Sequence, residues 1–180
     1  QPWVALDGTL SFSPAGNANG VAQVTITATD DGGTANGGVD TSAPQTFSIT
    51  VNAVNDPPSF TKGPDQTVDE DAAPQTVTGW ATAISSGPAD EAGQSVTFLV
   101  SNDNEALFST APAIAPDGTL SYTVAANASG VAQVTVIATD DGGTANSGVN
   151  ASTPQTFTVA VNAVNDTPSF TKGSDQTVDE

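Results

Sequence analysis

The stretch VAQVTVIATD, residues 131–140, alternates in side-chain character with a period of two. Ala132, Val134, Val136 and Ala138 share one side, and Gln133, Thr135, Ile137 and Thr139 share the other, which is the pattern of a strand with one buried and one solvated face. A second version, VAQVTITATD, stands 110 residues earlier at 21–30. Its changes respect the same faces. Ile26 replaces Val136 on the apolar side, and Thr27 replaces Ile137 where a solvent face tolerates either.

The offset of 110 holds beyond this strand. DGTLS recurs from Asp7 to Asp117, TDDGGTAN from Thr29 to Thr139, and VNAVNDPPSF at 51–60 returns as VNAVNDTPSF at 161–170. Between residues 1–70 and 111–180 about 50 of 70 positions agree, the self-similarity of a tandem array. Three segments follow: 1–56 matches the C-terminal half of a repeat, 57–166 is one complete repeat, and 167–180 matches the first strand of the next. The ends read as cuts through a longer array, and the partial copies should fold poorly unless a neighbour completes them.

The other strands come from the same alternation. Phe157, Val159 and Val161 repeat Phe47, Ile49 and Val51; Leu120, Tyr122 and Val124 follow the Asp117-Gly118 turn, a short hairpin signal; Val96, Phe98 and Val100 form one more. Adding strands at 66–68, 76–83 and 106–110 gives about seven per repeat. The periodicity predicts an all-β fold, an immunoglobulin-like sandwich. Trp80 lies where the pattern is ambiguous, and it reads as a packing aromatic.

Composition narrows function. Twenty acidic residues face only Lys62 and Lys172, for a net charge of −18, so the chain lacks the basic footprint of a nucleic-acid binder and is repelled by anionic membrane surfaces. No histidine, cysteine or arginine is present, which removes Ser-His-Asp and Cys-His pairs, the usual zinc sites and a phosphate clamp. The reading is of a non-enzyme. No stretch is long and apolar enough to span a membrane, and no signal peptide is present, so a secreted protein would carry its leader outside these residues.

Most carboxylates therefore have no side-chain cation to pair with. Either they repel one another in water or a dissolved cation pairs with them. Asp and Asn also serve turns without any ion, which is sufficient reason for Asp7 and Asp117 and an equally good one for Asp140 and Asp141. The linker VNAVND is less well explained as a turn, and the proline beyond it stiffens the exit.

The linker VNAVND.PSF, TVDED at 67–71 and ATDDGG at 138–143 together resemble the bacterial cadherin-like and immunoglobulin-like tandem repeats of large surface adhesins. The resemblance covers the complete repeat and both partial ones. It implies an extracellular or bacterial cell-surface location, neighbouring repeats as partners, and calcium held between consecutive domains. Carried onto this chain, Asn55 and Asp56 would be linker ligands, Asp90 and Glu91 would come from the following loop, and Asp140 with Asp141 from the end of the sixth strand. Glu70 would serve the opposite end together with Asn165 and Asp166. The chain departs from animal cadherins where AANASG at 125–130 replaces an Asp-Arg-Glu loop, which implies fewer ions per junction. Calcium suits such oxygen-rich sets. Three roles stay open: a structural extender stiffened by calcium, a metal-free fibre of identical chains joined by strand donation, and a glycan-binding module using Trp80 or Trp3. Trp3 is Ala113 in the other copy, which favours the structural reading.

Overall fold

A computed structural model describes residues 1–180. The chain runs through thirteen strands: β1 (Trp3–Val4), β2 (Leu10–Ser11), β3 (Gly20–Ile26), β4 (Gln45–Val51), β5 (Ser59–Thr61), β6 (Gln66–Asp69), β7 (Gln75–Val77), β8 (Thr82–Ser85), β9 (Val96–Asn102), β10 (Phe108–Ile114), β11 (Leu120–Val124), β12 (Gly130–Asp140) and β13 (Gln155–Asn162). Only short 3-10 turns interrupt them. Two compact units form: Gln1–Phe60 with Ala83–Thr97 and Ala138–Thr153, and Thr61–Thr82 with Phe98–Ile137 and Pro154–Glu180.

The second unit carries a four-stranded sheet, ordered β6-β13-β12-β9, and a three-stranded sheet, ordered β10-β11-β7. Their inner faces make one core. Leu120, Tyr122 and Val124 are buried on one sheet, and Ala132, Val134, Val136, Phe157, Val159 and Val161 on the other. These are the apolar sets that alternation picks out, and each fully buried Val or Leu contributes about 1.5–3 kcal/mol. Trp80 is 3% exposed. Its ring meets Phe157 at 4.4 Å between centroids, and its Nε1 donates to Pro64 O at 2.9 Å. A Cβ on Gly63 would lie 2.6 Å from Trp80 Cδ1, so only glycine fits under the indole.

Two expected strands are drawn differently. The run at 76–83 is not one strand: β7 pairs with β11, while β8 belongs to a separate ribbon with β5. The break falls at Gly79, whose φ of 65° turns the chain so that Trp80 enters the core. The strand expected at 106–110 begins only at Phe108, as the start of β10, and the 3-10 turn Glu105–Leu107 ahead of it places Leu107 in the core. β10 then passes Pro112 at an irregularity in its pairing with β11, between Thr110 and Ala113, a place where a missing N–H is tolerated. The four and three strands of the two sheets make seven, and the β5–β8 ribbon is additional.

In the first unit β3 pairs with β4 from Gly20↔Val51 to Ile26↔Gln45. That is the register of β12 and β13, Gly130↔Val161 to Val136↔Gln155, set back by one repeat. The side chains fare differently, because Val24, Ile26, Phe47, Ile49 and Val51 are only half-buried. Trp3 is 61% exposed, and with Val4, Leu6, Leu10, Val24 and Ile26 it lines an open cavity of about 500 Å³.

Candidate metal centre

The linker that closes β4 lies in the first unit, against two loops of the same unit: the 3-10 turn Ala89–Glu91 and the turn after β12. Asn55 is its anchor. Its Nδ2 donates to Asp140 Oδ1 at 2.9 Å and to Val149 O at 2.7 Å, and its Oδ1 accepts from Gln94 Nε2 at 2.8 Å. Its backbone carbonyl accepts from Val149 N at 2.8 Å. One residue on, the Asp56 amide donates to Glu91 Oε1 at 2.8 Å, and upstream Asn146 Nδ2 donates to Ala53 O at 3.0 Å.

Close approach requires glycine at the loop positions. A Cβ on Gly142 would coincide with Asn55 Oδ1, one on Gly87 would coincide with Glu91 Oε2, and one on Gly148 would lie 2.9 Å from the Asn55 amide. Thus the Gly-Gly of ATDDGG admits the linker, in addition to making a turn. Asn146 holds φ 55°, a left-handed conformation that asparagine accepts more readily than most residues. Thr34–Asn36 repeats it in the other copy, with Asn36 at φ 55°.

Glu91 and Asp140 are 6% and 8% exposed, and neither lysine reaches them. Lys62 Nζ points to Gly63 O, and Lys172 pairs with Asp175 on the surface. Each carboxylate uses one oxygen in the network just described. The other oxygens, Glu91 Oε2 and Asp140 Oδ2, are buried without a hydrogen-bond partner, and so is Gln94 Oε1. Burying an acceptor without a partner costs about 1–3 kcal/mol, more when it is charged. The three oxygens sit on residues of one hydrogen-bonded network, and unpartnered carboxylate and amide oxygens are the ligand type that a hard cation takes. No three acidic side chains converge there as the structure stands; the set consists of two carboxylates, a glutamine oxygen and the linker.

Of the residues expected as ligands, the structure brings together Asn55, Asp56, Glu91 and Asp140. Asp90 turns outward, and its Oδ2 accepts from Asn19 Nδ2 at 3.1 Å. Asp141 Oδ1 accepts from the Ser95 amide at 2.9 Å, pinning the start of β9. In the second unit, Glu70 is buried and its Oε1 accepts from Val164 N at 2.6 Å. Asn165 and Asp166 beside it are exposed. Gln94 went unanticipated; its signal was the Gln three residues after Glu91 in the same loop.

Asp7 and Asp117 behave as turn residues. Each carboxylate accepts from the amide two residues on, Thr9 or Thr119, at 2.9 Å. That backbone N–H, and then the threonine hydroxyl, holds both carboxyls below the ordinary value of 3.8.

No protein-family model matches the chain, and no curated protein matches it. Among solved structures, human Protocadherin-24 EC1-2 is similar, with a TM-score of 0.55 and 17% identity over 93% of this chain and 77% of that one. The likeness establishes a cadherin-like, immunoglobulin-type β-sandwich as the fold.

Proposed function

We propose that this chain is a structural extender repeat of a secreted or surface-anchored bacterial adhesin or extracellular fibre, in which calcium locks each linker onto the loops of the following repeat. One observation carries the reading: Glu91 Oε2, Asp140 Oδ2 and Gln94 Oε1 are buried without partners around the linker residues Asn55 and Asp56. Glu91, Asp140 and Gln94 would hold the ion, and the Asn55 and Asp56 network would keep them in place. Calcium takes six to eight oxygens, so backbone carbonyls or water complete its shell. The ion would neutralise carboxylates that no lysine serves, and it would resist bending at the joint.

The role is mechanical and non-catalytic. It needs no histidine, cysteine or arginine, and the chain has none. The buried Trp80 is committed to the core, which counts against its use in stacking a sugar. No helix is long and apolar enough to cross a membrane. Calcium modules outside cells bind in the range of about 0.1–1 mM, so the joint would fill outside a cell and empty inside one.

Isothermal titration of the chain with calcium, against magnesium, tests the proposal. A calcium-selective isotherm lost in Glu91→Gln and in Asp140→Asn is the expected result. Equal weak heats for both ions, unchanged in the variants, would leave the acidic residues as solvated turns and refute the metal reading.

A further inference from the structure

An edge strand presents backbone N–H and C=O groups to any strand that comes beside it, and folds guard against this with a short length, a charge, a proline or a bulge. The sheets β6-β13-β12-β9 and β10-β11-β7 have four edges. All their strands lie within the complete repeat, so the edges belong to the repeat itself. Three are guarded. β6 has four residues and ends in Asp69, β7 has only three, and β10 carries Pro112 and two irregularities in its pairing.

The fourth edge, β9, reads VTFLVSN and has none of these devices. Thr97 Oγ1 meets Thr139 Oγ1 at 3.0 Å, and six residues on along both strands the Asp103 amide donates to Gln133 O at 3.2 Å. The strand therefore follows β12 without a bulge. At its middle Leu99 is 60% exposed.

The sequence of β9 is close to a palindrome. About Leu99, Phe98 is matched by Val100 and Thr97 by Ser101, one apolar pair and one hydroxyl pair. An antiparallel partner of the same sequence meets that pattern in kind, which is what a contact using one patch on both subunits requires. Charge selects the same partner. In a chain of net charge −18 the strand holds no carboxylate, and in a pairing centred on Leu99 the next one along, Asp103, falls opposite Ser95 and not opposite another acid.

We propose that β9 pairs antiparallel with β9 of a second copy of this chain, about a two-fold axis at Leu99, joining the two sheets edge to edge. The Asp103 amide faces β12, so Thr97, Leu99 and Ser101, in step with it, turn their backbone groups to β12, while Val96, Val100 and Asn102 turn theirs to the outer edge. Leu99 then meets its own counterpart in a non-hydrogen-bonded pair, with Cα atoms about 4.5 Å apart, and the two side chains cover each other on the sheet surface. The contact ties chains side by side. It does not rest on the calcium reading, because none of Asn55, Glu91 or Asp140 takes part.

Two measurements on the full chain test it, in salt high enough to screen the charge of each copy, and in calcium and again in chelator, so that a failure of the metal reading is seen separately. In sedimentation equilibrium the expected mass rises with concentration from 17.8 kDa toward twice that value. Leu99→Asp changes an exposed side chain in the monomer but sets two carboxylates face to face in the pair, and it should weaken association about tenfold or more. The chain has no cysteine, so Leu99→Cys supplies a single thiol at a separation that a disulfide spans. On oxidation it should link chains about tenfold faster than Val131→Cys, whose site on β12 is 59% exposed but lies off the axis. A mass of one chain at every concentration overturns the proposal. So do association that survives Leu99→Asp and equal linking rates for the two thiols.

Discussion

The molecule contains the same half-repeat twice, once around β3 and β4 and once around β12 and β13. The two agree in strand register, in the left-handed Asn36 and Asn146, and in the Asp turns at Asp7 and Asp117. They disagree in burial. Val134, Val136, Phe157 and Val159 are closed in, whereas Val24, Ile26, Phe47 and Ile49 stay half open. Asp140 is buried against Asn55, while its counterpart Asp30 is exposed and its carboxylate accepts from the Gly32 amide two residues on. Local conformation is thus written in the half-repeat itself, whereas packing and the joint come from residues 57–110 and the linker, which only the second copy has beside it in this chain.

Paired substitutions test that division. Leu120→Ala removes a fully buried side chain and should cost about 2–5 kcal/mol; Leu10→Ala, at the matching exposed position, should cost under about 1 kcal/mol in chemical denaturation. Equal losses would mean that the leading copy has a closed core of its own. Asn55→Ala strips a buried network and should destabilise by about 2 kcal/mol or more, whereas Asn165→Ala, its exposed twin, should fall within about 0.5 kcal/mol. Gly142→Ala should displace the linker, weakening calcium binding and stability together. Gly32→Ala meets only Asp30 Oδ1 at 3.1 Å and should change little.

Smaller effects are expected at Tyr122 and at the two Asp turns. Phe12 occupies the position of Tyr122, whose hydroxyl is buried without a partner. Tyr122→Phe should therefore leave stability unchanged or raise it by up to about 1 kcal/mol. Burial also raises the Tyr122 pKa above 10.0, so the wild-type chain loses stability as pH climbs through that raised value, and Tyr122→Phe should not. Smallest of all, Asp7 and Asp117 should titrate alike by NMR, both below 3.8. Their depressed values mean that each turn's contribution is complete above that pH and is lost as acid takes it through the lowered pKa.

Alternation made the core legible because period two survives in any sheet: Ala132, Val134, Val136, Phe157, Val159, Leu120 and Tyr122 are all where the pattern puts them. It failed at 76–83, where the turn through Gly79 and Trp80 separates strands of two different sheets, and at 106–107, where Leu107 reaches the core from a 3-10 turn ahead of the strand that begins at Phe108. Four of the expected ligands meet at the joint because the repeat locates linker and loops. Which carboxylate of each adjacent pair turns inward was not legible. Asp90 and Glu91 differ only through the turn Ala89–Glu91, and Asp140 and Asp141 through the end of β12. Gln94 escaped because it carries no charge, although its oxygen is as unpartnered as the carboxylates.

If calcium holds the joint around Asn55, Glu91 and Asp140, the ion must stabilise the fold. Thermal unfolding of the chain in millimolar calcium, in magnesium and in chelator tests it most directly. The expected result is a calcium-specific rise in midpoint, approaching about 2.7 kcal/mol of stabilisation when calcium reaches a hundred times its dissociation constant, and abolished in Glu91→Gln and Asp140→Asn. Identical midpoints in calcium and chelator would contradict it.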